Sequence, residues 1–403
     1  MFHRARVVLF LLAFLCVSFI SGPETGLAVP KGVDPVEEGW MWQIAVIPPV
    51  EGWNSPQGES VWMALSLAAG EVNESHGGVN GHDVRFFQVT LPGREDIPLD
   101  FPGLLREWKT RRVIAVLSFA DDETNLSLIP LLRIEGMPLL LAWGEWLSLR
   151  NGDGQPEPFV FALSLFRRFR IVSLAEELRR TMPEGTGIVL VADRLDPVLA
   201  ASSVLLDRLL QDRGFVPLPV WVAGAGDKDV RFRLREAENA GGQILVSLLD
   251  VMGTLDLWRQ IRETGSPLAI WYGGSMSPFL ADRKGLVLSD QDEPLSRDPS
   301  LRGFRLRIWD VLRVRVADAA LAARAYALAR WFLRGLEETP PSDIARLPER
   351  LGNATGIPFG EEILSIDPAT HRPRERKVAV LESDGAGWFL RRIVSVPSGA
   401  FPE

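Results

Sequence analysis

Along this chain, short apolar runs of the kind that form buried strands alternate with stretches whose apolar residues recur at helical spacing. Trp42–Ile47 is the first strand, stopped by Pro48 and Pro49, and residues 58–73 follow with Val61, Met63, Leu65, Ala68 and Val72 at helical spacing. Gly77-Gly78-Val79-Asn80-Gly81 ends that helix, because glycine and asparagine tolerate the left-handed backbone of a tight reversal. Further strands are predicted at 84–89, 113–118, 138–142, 187–192, 216–222, 243–248 and 268–271. Helices are predicted between them at 104–111, 125–135, 171–180, 198–213, 230–240 and 255–264. Such alternation produces right-handed β-α-β units and parallel sheets covered by helices on both faces. A long alanine-rich helix over 317–338 stops at Thr339-Pro340-Pro341, and two β-like runs, 377–381 and 388–395, flank the turn Asp384-Gly385-Ala386-Gly387.

The first 28 residues stand apart from this pattern. His3, Arg4 and Arg6 precede an apolar run from Val7 to Ile20, and small or helix-breaking residues lead to Gly26-Leu27-Ala28. That order is the grammar of a secretory signal peptide, with cleavage expected after Ala28. The run is short of the roughly 20 residues that cross a bilayer, so cleavage is favoured over anchoring. Cys16 follows Leu15 inside the run and reads as an ordinary apolar residue rather than a lipidation site. It is the single cysteine, so a chain starting at Val29 has no disulfide, thiolate metal site or cysteine nucleophile.

Beyond residue 28 there are 42 basic and 51 acidic residues, a balance that argues against nucleic acid as a partner. No later stretch has the length and apolarity of a membrane span, so no stable membrane insertion is expected after cleavage. His76, His82 and His371 have no metal-ligand spacing and read as solvated side chains. No nucleophile elbow, phosphate loop or dinucleotide fingerprint is present, and Gly224-Ala225-Gly226-Asp227 lacks the rest of such a pattern. No cofactor, metal or catalytic residue is therefore expected, and the chain reads as a non-enzyme.

The order of elements resembles the branched-chain amino-acid and amide binding proteins, the substrate receptors of ABC importers. Residues 58–81 are similar to that family's opening, where a glycine and an amphipathic helix lead to Gly-Gly-Val-Asn-Gly before the second strand. Residues 113–141, with Glu135-Gly136-Met137-Pro138 before a strand, are similar to its next section. The tail, from Ala320 through Gly356 and Phe359 to Asp384-Gly385-Ala386-Gly387-Trp388, is similar to its close. The resemblance implies the type I periplasmic fold: two Rossmann-like α/β lobes with parallel sheets, joined by a three-strand hinge. The chain then crosses near 159–164, near 286–289, and between about 336 and 356. The implied division is 1–28 signal peptide, 29–39 leader, 40–161 and 287–340 lobe 1, 162–286 lobe 2, and 341–403 hinge crossing, remaining lobe 2 and tail. It also implies a periplasmic or extracytoplasmic receptor that closes over a small-molecule solute and delivers it to ABC importer permease subunits. The alternative is a sensor or scaffold of the same fold that docks on a receptor partner.

Ligands of open parallel sheets lie beyond the carboxyl ends of the strands, here the loops after Ile47, Ser118, Ala142, Ala192, Leu248 and Trp271. The expected ligand-binding residues are Trp53, Asn54, Gln57, Asp122, Thr124, Trp143, Glu145, Tyr272 and Ser275. Asp122 aligns with the family's carboxylate-binding serine, and Trp143-Gly144-Glu145-Trp146 is bulky and acidic where the family also grips a carboxylate. Near Pro197 and Gly274 the family's tyrosine and acidic anchor are missing. These departures favour an amine, amide or nucleobase-like solute over an ordinary α-amino acid, since tryptophan faces and carboxylates suit cations. Asp121 and Glu123, just before a helix, read as capping residues.

Overall fold

The computed structural model describes residues 40–90, 101–145, 157–224 and 229–398. The predicted signal peptide and leader, Trp146 and the Ala225-Gly226-Asp227 part of the glycine-bearing loop lie outside the described residues. Five parallel strands form the first sheet in the order β2-β1-β3-β4-β5: β1 Trp42–Ile47, β2 Val84–Gln88, β3 Val113–Ser118, β4 Leu139–Leu141 and β5 Val160–Ala162. The second sheet has seven strands in the order β15-β14-β10-β9-β8-β6-β7. Its parallel part comprises β6 Gly187–Asp193, β7 Val216–Val222, β8 Gly242–Ser247, β9 Ala269–Tyr272 and β10 Val287–Asp290. A short antiparallel sheet, β11 Thr355–Phe359, β12 Glu362–Asp367 and β13 Arg372–Pro373, precedes β14 Glu375–Ser383 and β15 Trp388–Pro397. The last two add antiparallel to β10 and complete the second sheet.

The strands are continuously apolar because both of their faces are covered. Trp42, Ile44 and Val46 enter one core with helices Pro56–His76 and Ala319–Glu337, while Ala45 and Ile47 enter another with helices Phe101–Thr110 and Asp122–Glu135. In β6, Ile188, Leu190 and Ala192 face one core of the second lobe and Val189 and Val191 the other. Each buried valine, leucine or isoleucine among them contributes about 1.5–3 kcal/mol of apolar burial, which is why the alternation of elements is decisive.

Local chemistry fixes where the helices start. Ser55, Asp121, Asp196, Asp250 and Asp318 each accept a backbone N–H of the following turn. Asn80 (φ +54°) donates to Leu336 O at 3.2 Å and Thr339 O at 2.9 Å, tying the Gly-Gly-Val-Asn-Gly turn to the end of the long helix. Gly58 has no room for a side chain: a Cβ there would sit 2.3 Å from the Gly52 carbonyl, where the loop folds back onto the helix start.

The chain passes between lobes three times, and two buried arginines join the passages. Arg372, 0% exposed, donates to Ser164 O and Gly144 O, both at 2.7 Å. Arg376, also 0% exposed, donates to Leu163 O at 2.9 Å and Gln291 O at 3.1 Å. Gln291 in turn accepts the Leu165 N–H at 2.8 Å and donates to Glu145. The guanidinium of Arg372 lies 3.7 Å over the Phe166 ring and that of Arg376 lies 4.2 Å over Phe359.

Two expected crossings are displaced. Residues 287–290 pair with β9 and β14, so the second passage falls at Gln291–Asp292 rather than at 286–289. The third falls at Arg374, between β13 and β14, rather than between 336 and 356. Leu347, Leu351, Ile357, Phe359, Leu364 and Ile366 all pack in the first lobe's core, so residues 347–366 belong there and not with the second lobe. Pro340 and Pro341 end a helix without ending the lobe, and the short strands that follow carry little periodicity. His371 also differs from the solvated side chain expected: its Nδ1 lies 2.9 Å from Glu157 O and 3.1 Å from Val160 O, and its ring stacks on Phe161. His82 sits edge-on to Trp40.

Two measurements test this description. Arg372→Met strips two buried carbonyls of their donor and is expected to lower unfolding stability by about 3 kcal/mol in urea; a change under about 0.5 kcal/mol would place the hinge elsewhere. Burial holds His371 below the ordinary histidine range, overcoming its carbonyl contacts. Below pH 6.5 the unfolded chain therefore takes up a proton that the folded chain refuses. Stability should fall as pH drops through that value, and His371→Gln should flatten the slope.

Candidate functional site

At the carboxyl ends of β1, β3 and β4, the loops expected to build a cleft open onto a cavity of about 540 Å³. That size suits a small solute. Pro49, Val50 and Glu51 follow β1; Phe119 to Asp122 follow β3; Trp143 to Glu145 follow β4. Gln57 at the start of helix Pro56–His76 completes this side. The opposite wall comes from much later in the chain: Asp292, Leu295 and Ser296 after the second passage, then Asp318, Ala320, Leu321 and Arg324 of helix Ala319–Glu337.

Of the nine expected ligand residues, the structure gathers Gln57, Asp122, Trp143 and Glu145 on this wall. Trp53 is directed elsewhere: its Nε1 donates to Val89 O at 2.8 Å and its ring packs edge-on against Trp62. Asn54 is exposed beside it. Thr124 is buried in the first turn of its helix, where its backbone N–H is capped by Asp121 at 2.9 Å. Tyr272 and Ser275 belong to the second lobe and do not line the cavity. A Cβ on Gly274 would meet the Tyr272 hydroxyl at 2.2 Å, so the tyrosine occupies the space an acidic anchor would need. The loops after β6 and β8 line a separate cavity of about 240 Å³ that includes Asp193, Asp196, Leu249 and Asp250.

The charges around the main cavity are mostly engaged within the protein. Glu145 bridges the lobes: Arg170, on helix Phe169–Thr181, donates to its two oxygens at 2.6 and 3.2 Å. Arg170 is 4% exposed and Glu145 14%, so this pair is close to fully desolvated. Asp318 accepts the Leu321 N–H at 2.9 Å, and Asp121 caps its own helix. Arg324, buried at 2%, donates to Ala142 O at 2.6 Å and pairs with Asp292. Its guanidinium lies 5.4 Å from the Trp143 ring centre, so that tryptophan already has a cation over it. Burial, aided by nearby Arg376, pushes the Arg324 pKa down to about 9, which still leaves it cationic at neutral pH. Burial also raises the carboxyl of Asp290 behind it, the more so for its proximity to Glu145.

Among the described residues the lining holds the carboxylates of Glu51, Asp121, Asp122, Glu145, Asp292 and Asp318 and the cation Arg324; Arg170 pairs with Glu145 and Arg324 with Asp292, so four carboxylates remain outside these pairs. The field in such a cleft favours a cationic or neutral hydrogen-bonding guest and disfavours an anion. Arg324, Asp292 and Asp318 were not expected from the sequence. One signal was available: an arginine inside a run of buried alanines marks a charged group on the core-facing side of a helix.

No family model matches the sequence, and no curated protein matches it. The fold matches solved structures. A leucine binding protein, LivK, from Thermotoga maritima superposes with TM-score 0.58 at 18% identity, covering 88% of this chain and 99% of that one. An ABC transporter substrate-binding protein from Desulfitobacterium hafniense, in complex with Leu, gives 0.61 at 14% identity over 87% and 100%. A solute binding protein of an ABC transporter from R. palustris, in complex with benzoate, gives 0.54 at 14% over 90% and 99%. The chain therefore has the two-lobed type I periplasmic binding protein fold.

The interlobe pair generates a prediction. Glu145→Ala leaves Arg170 buried without its counter-ion and should cost about 3 kcal/mol in equilibrium unfolding. A loss no larger than that of an exposed control such as Glu123→Ala would show that the pair carries no weight.

Proposed function

We propose that this chain is an extracytoplasmic, non-catalytic solute receptor that closes over a small amine, amide or amino-acid-like molecule and delivers it to an ABC importer. The observation that carries the reading is the cavity of about 540 Å³ at the strand ends of the first lobe of a two-lobed fold. All of its lining comes from the first lobe and the segments packed on it. A bound solute meets Tyr272 and Ser275 of the second lobe only if the lobes swing together, and that added contact is what shifts the equilibrium towards closure. The similar structures in complex with Leu and with benzoate support a small-molecule ligand. Delivery to permease subunits follows from the kinship of fold with transporter receptors, and export from the basic and apolar start of the sequence. Among the described residues no helix is long and apolar enough to cross a membrane.

The acidic lining is the ground for preferring an amine or amide to a carboxylate guest. Asp122 and Gln57 are the proposed polar contacts and Trp143 the apolar floor. Thermal unfolding of the full chain against amines, amides, nucleobases, amino acids and short acids tests this directly. A true ligand at about 100 times its dissociation constant adds about 2.7 kcal/mol to stability. Asp122→Asn should cut the affinity of a cationic hit at least about tenfold, the worth of one charge-assisted contact. Short acids shifting the melt while amines do not would overturn the preference.

A further inference from the structure

The chain carries a formal charge of −8, yet residues 302–315 hold five arginines against the single Asp310. Helix Ser300–Leu312 and the turn after it therefore form a positive island on a negative protein. The helix buries Leu301 and Ile308 in the first lobe's core, packs Phe304 and Leu312 against it, and exposes Arg302, Arg305, Leu306, Arg307 and Trp309. Arg302, Leu306, Trp309 and Arg313 follow at spacings of four, three and four residues, which aligns them along one outward stripe. Leu306 is 57% and Trp309 42% exposed, and all five arginines are exposed.

These arginines are only partly neutralised. Arg302, Arg305 and Arg315 make no ion pair among the described residues. Arg313 meets Asp310 only at 3.8 Å, and Arg307 meets Glu71 at 3.5 Å. Arg315 lies 5.9 Å from the Trp309 ring centre, so cation and indole sit side by side at the surface. Arg313 also adopts a left-handed backbone (φ +56°) at the helix C-terminus, a position glycine fills without strain.

Arginines interleaved with an exposed tryptophan and leucine on a convex helix match the layered chemistry of a bilayer surface, anionic outside and apolar just beneath. We propose that the outward stripe of helix Ser300–Leu312 docks this protein on an anionic lipid surface. The rest of the molecule, being acidic, is repelled by such a surface, so the stripe also sets the orientation of docking. Arg305 lines a groove that shares Gln57, Ser296, Asp318 and Ala320 with the main cavity, so a docked protein holds that groove near the membrane.

The test is co-flotation of the full chain with vesicles of phosphatidylcholine alone or mixed equally with phosphatidylglycerol, against the variant Arg302→Gln with Arg313→Gln. Any contribution of the N-terminal segment is common to both proteins. The proposal expects preferential binding to the anionic vesicles, weakened by salt, and roughly thirtyfold weaker in the double variant at about fivefold per arginine. Trp309→Ser should weaken it further, and the unfolding midpoint of the arginine double variant should stay unchanged because Arg302 and Arg313 are exposed. Equal flotation of wild type and double variant overturns the proposal. So does capture on a polyglutamate resin without vesicle binding, which would assign the stripe to an acidic protein instead.

Discussion

Everything between the two lobes depends on guanidinium groups that have been taken out of water and satisfied by backbone carbonyls. A buried charge is tolerated when its hydrogen bonds are all made and its neighbours are fixed. Arg372 and Arg376 go part of the way, each placing two guanidinium nitrogens on carbonyls of passages that are far apart in sequence: Leu163 and Ser164 on the first, Gln291 on the second. Each arginine also lies on an aromatic face, which holds its plane. The passages are thereby held in register at their centre while the lobes on either side keep their own cores. A joint of that kind bends without the sheets sliding.

The same low-dielectric region shapes the cavity. Glu145 is bound from the second lobe by Arg170 and from the second passage by Gln291, so one cavity residue reports on the spacing of the lobes. Arg324 is paired with Asp292 and Arg170 with Glu145, which leaves Glu51, Asp121, Asp122 and Asp318 as the acidic groups of the lining outside these two pairs. A carboxylate guest would have to enter against their field, whereas an ammonium or amide would add hydrogen bonds to it.

Much of this was legible in the sequence, for a physical reason. Strands buried on both faces must be apolar throughout, so Trp42–Ile47, Val113–Ser118 and Gly187–Asp193 announce themselves. The cap reading of Asp121 was legible too, because capping needs only neighbours in sequence. What could not be read was whatever depends on distant partners. The strands of 355–373 are short and take their apolar positions from a core shared by the preceding long helix and by strands near the start of the described chain. Trp53 looked like a cleft residue until Val89 claimed its ring nitrogen. Arg324 lies about 180 residues from the loops it faces, and no local pattern links them.

The discontinuity of the lobes also governs the order in which the chain can become a protein. Helix Ala319–Glu337 is the central helix of the first lobe's core, yet it is made after nearly all of the second lobe. The second sheet, for its part, lacks its antiparallel edge until Pro397 is available. Neither core is complete on a partial chain, and contacts of such long sequence separation form slowly. The first lobe's packing therefore waits on residues that follow most of the second, and the second sheet's last edge on residues that follow the completed first lobe.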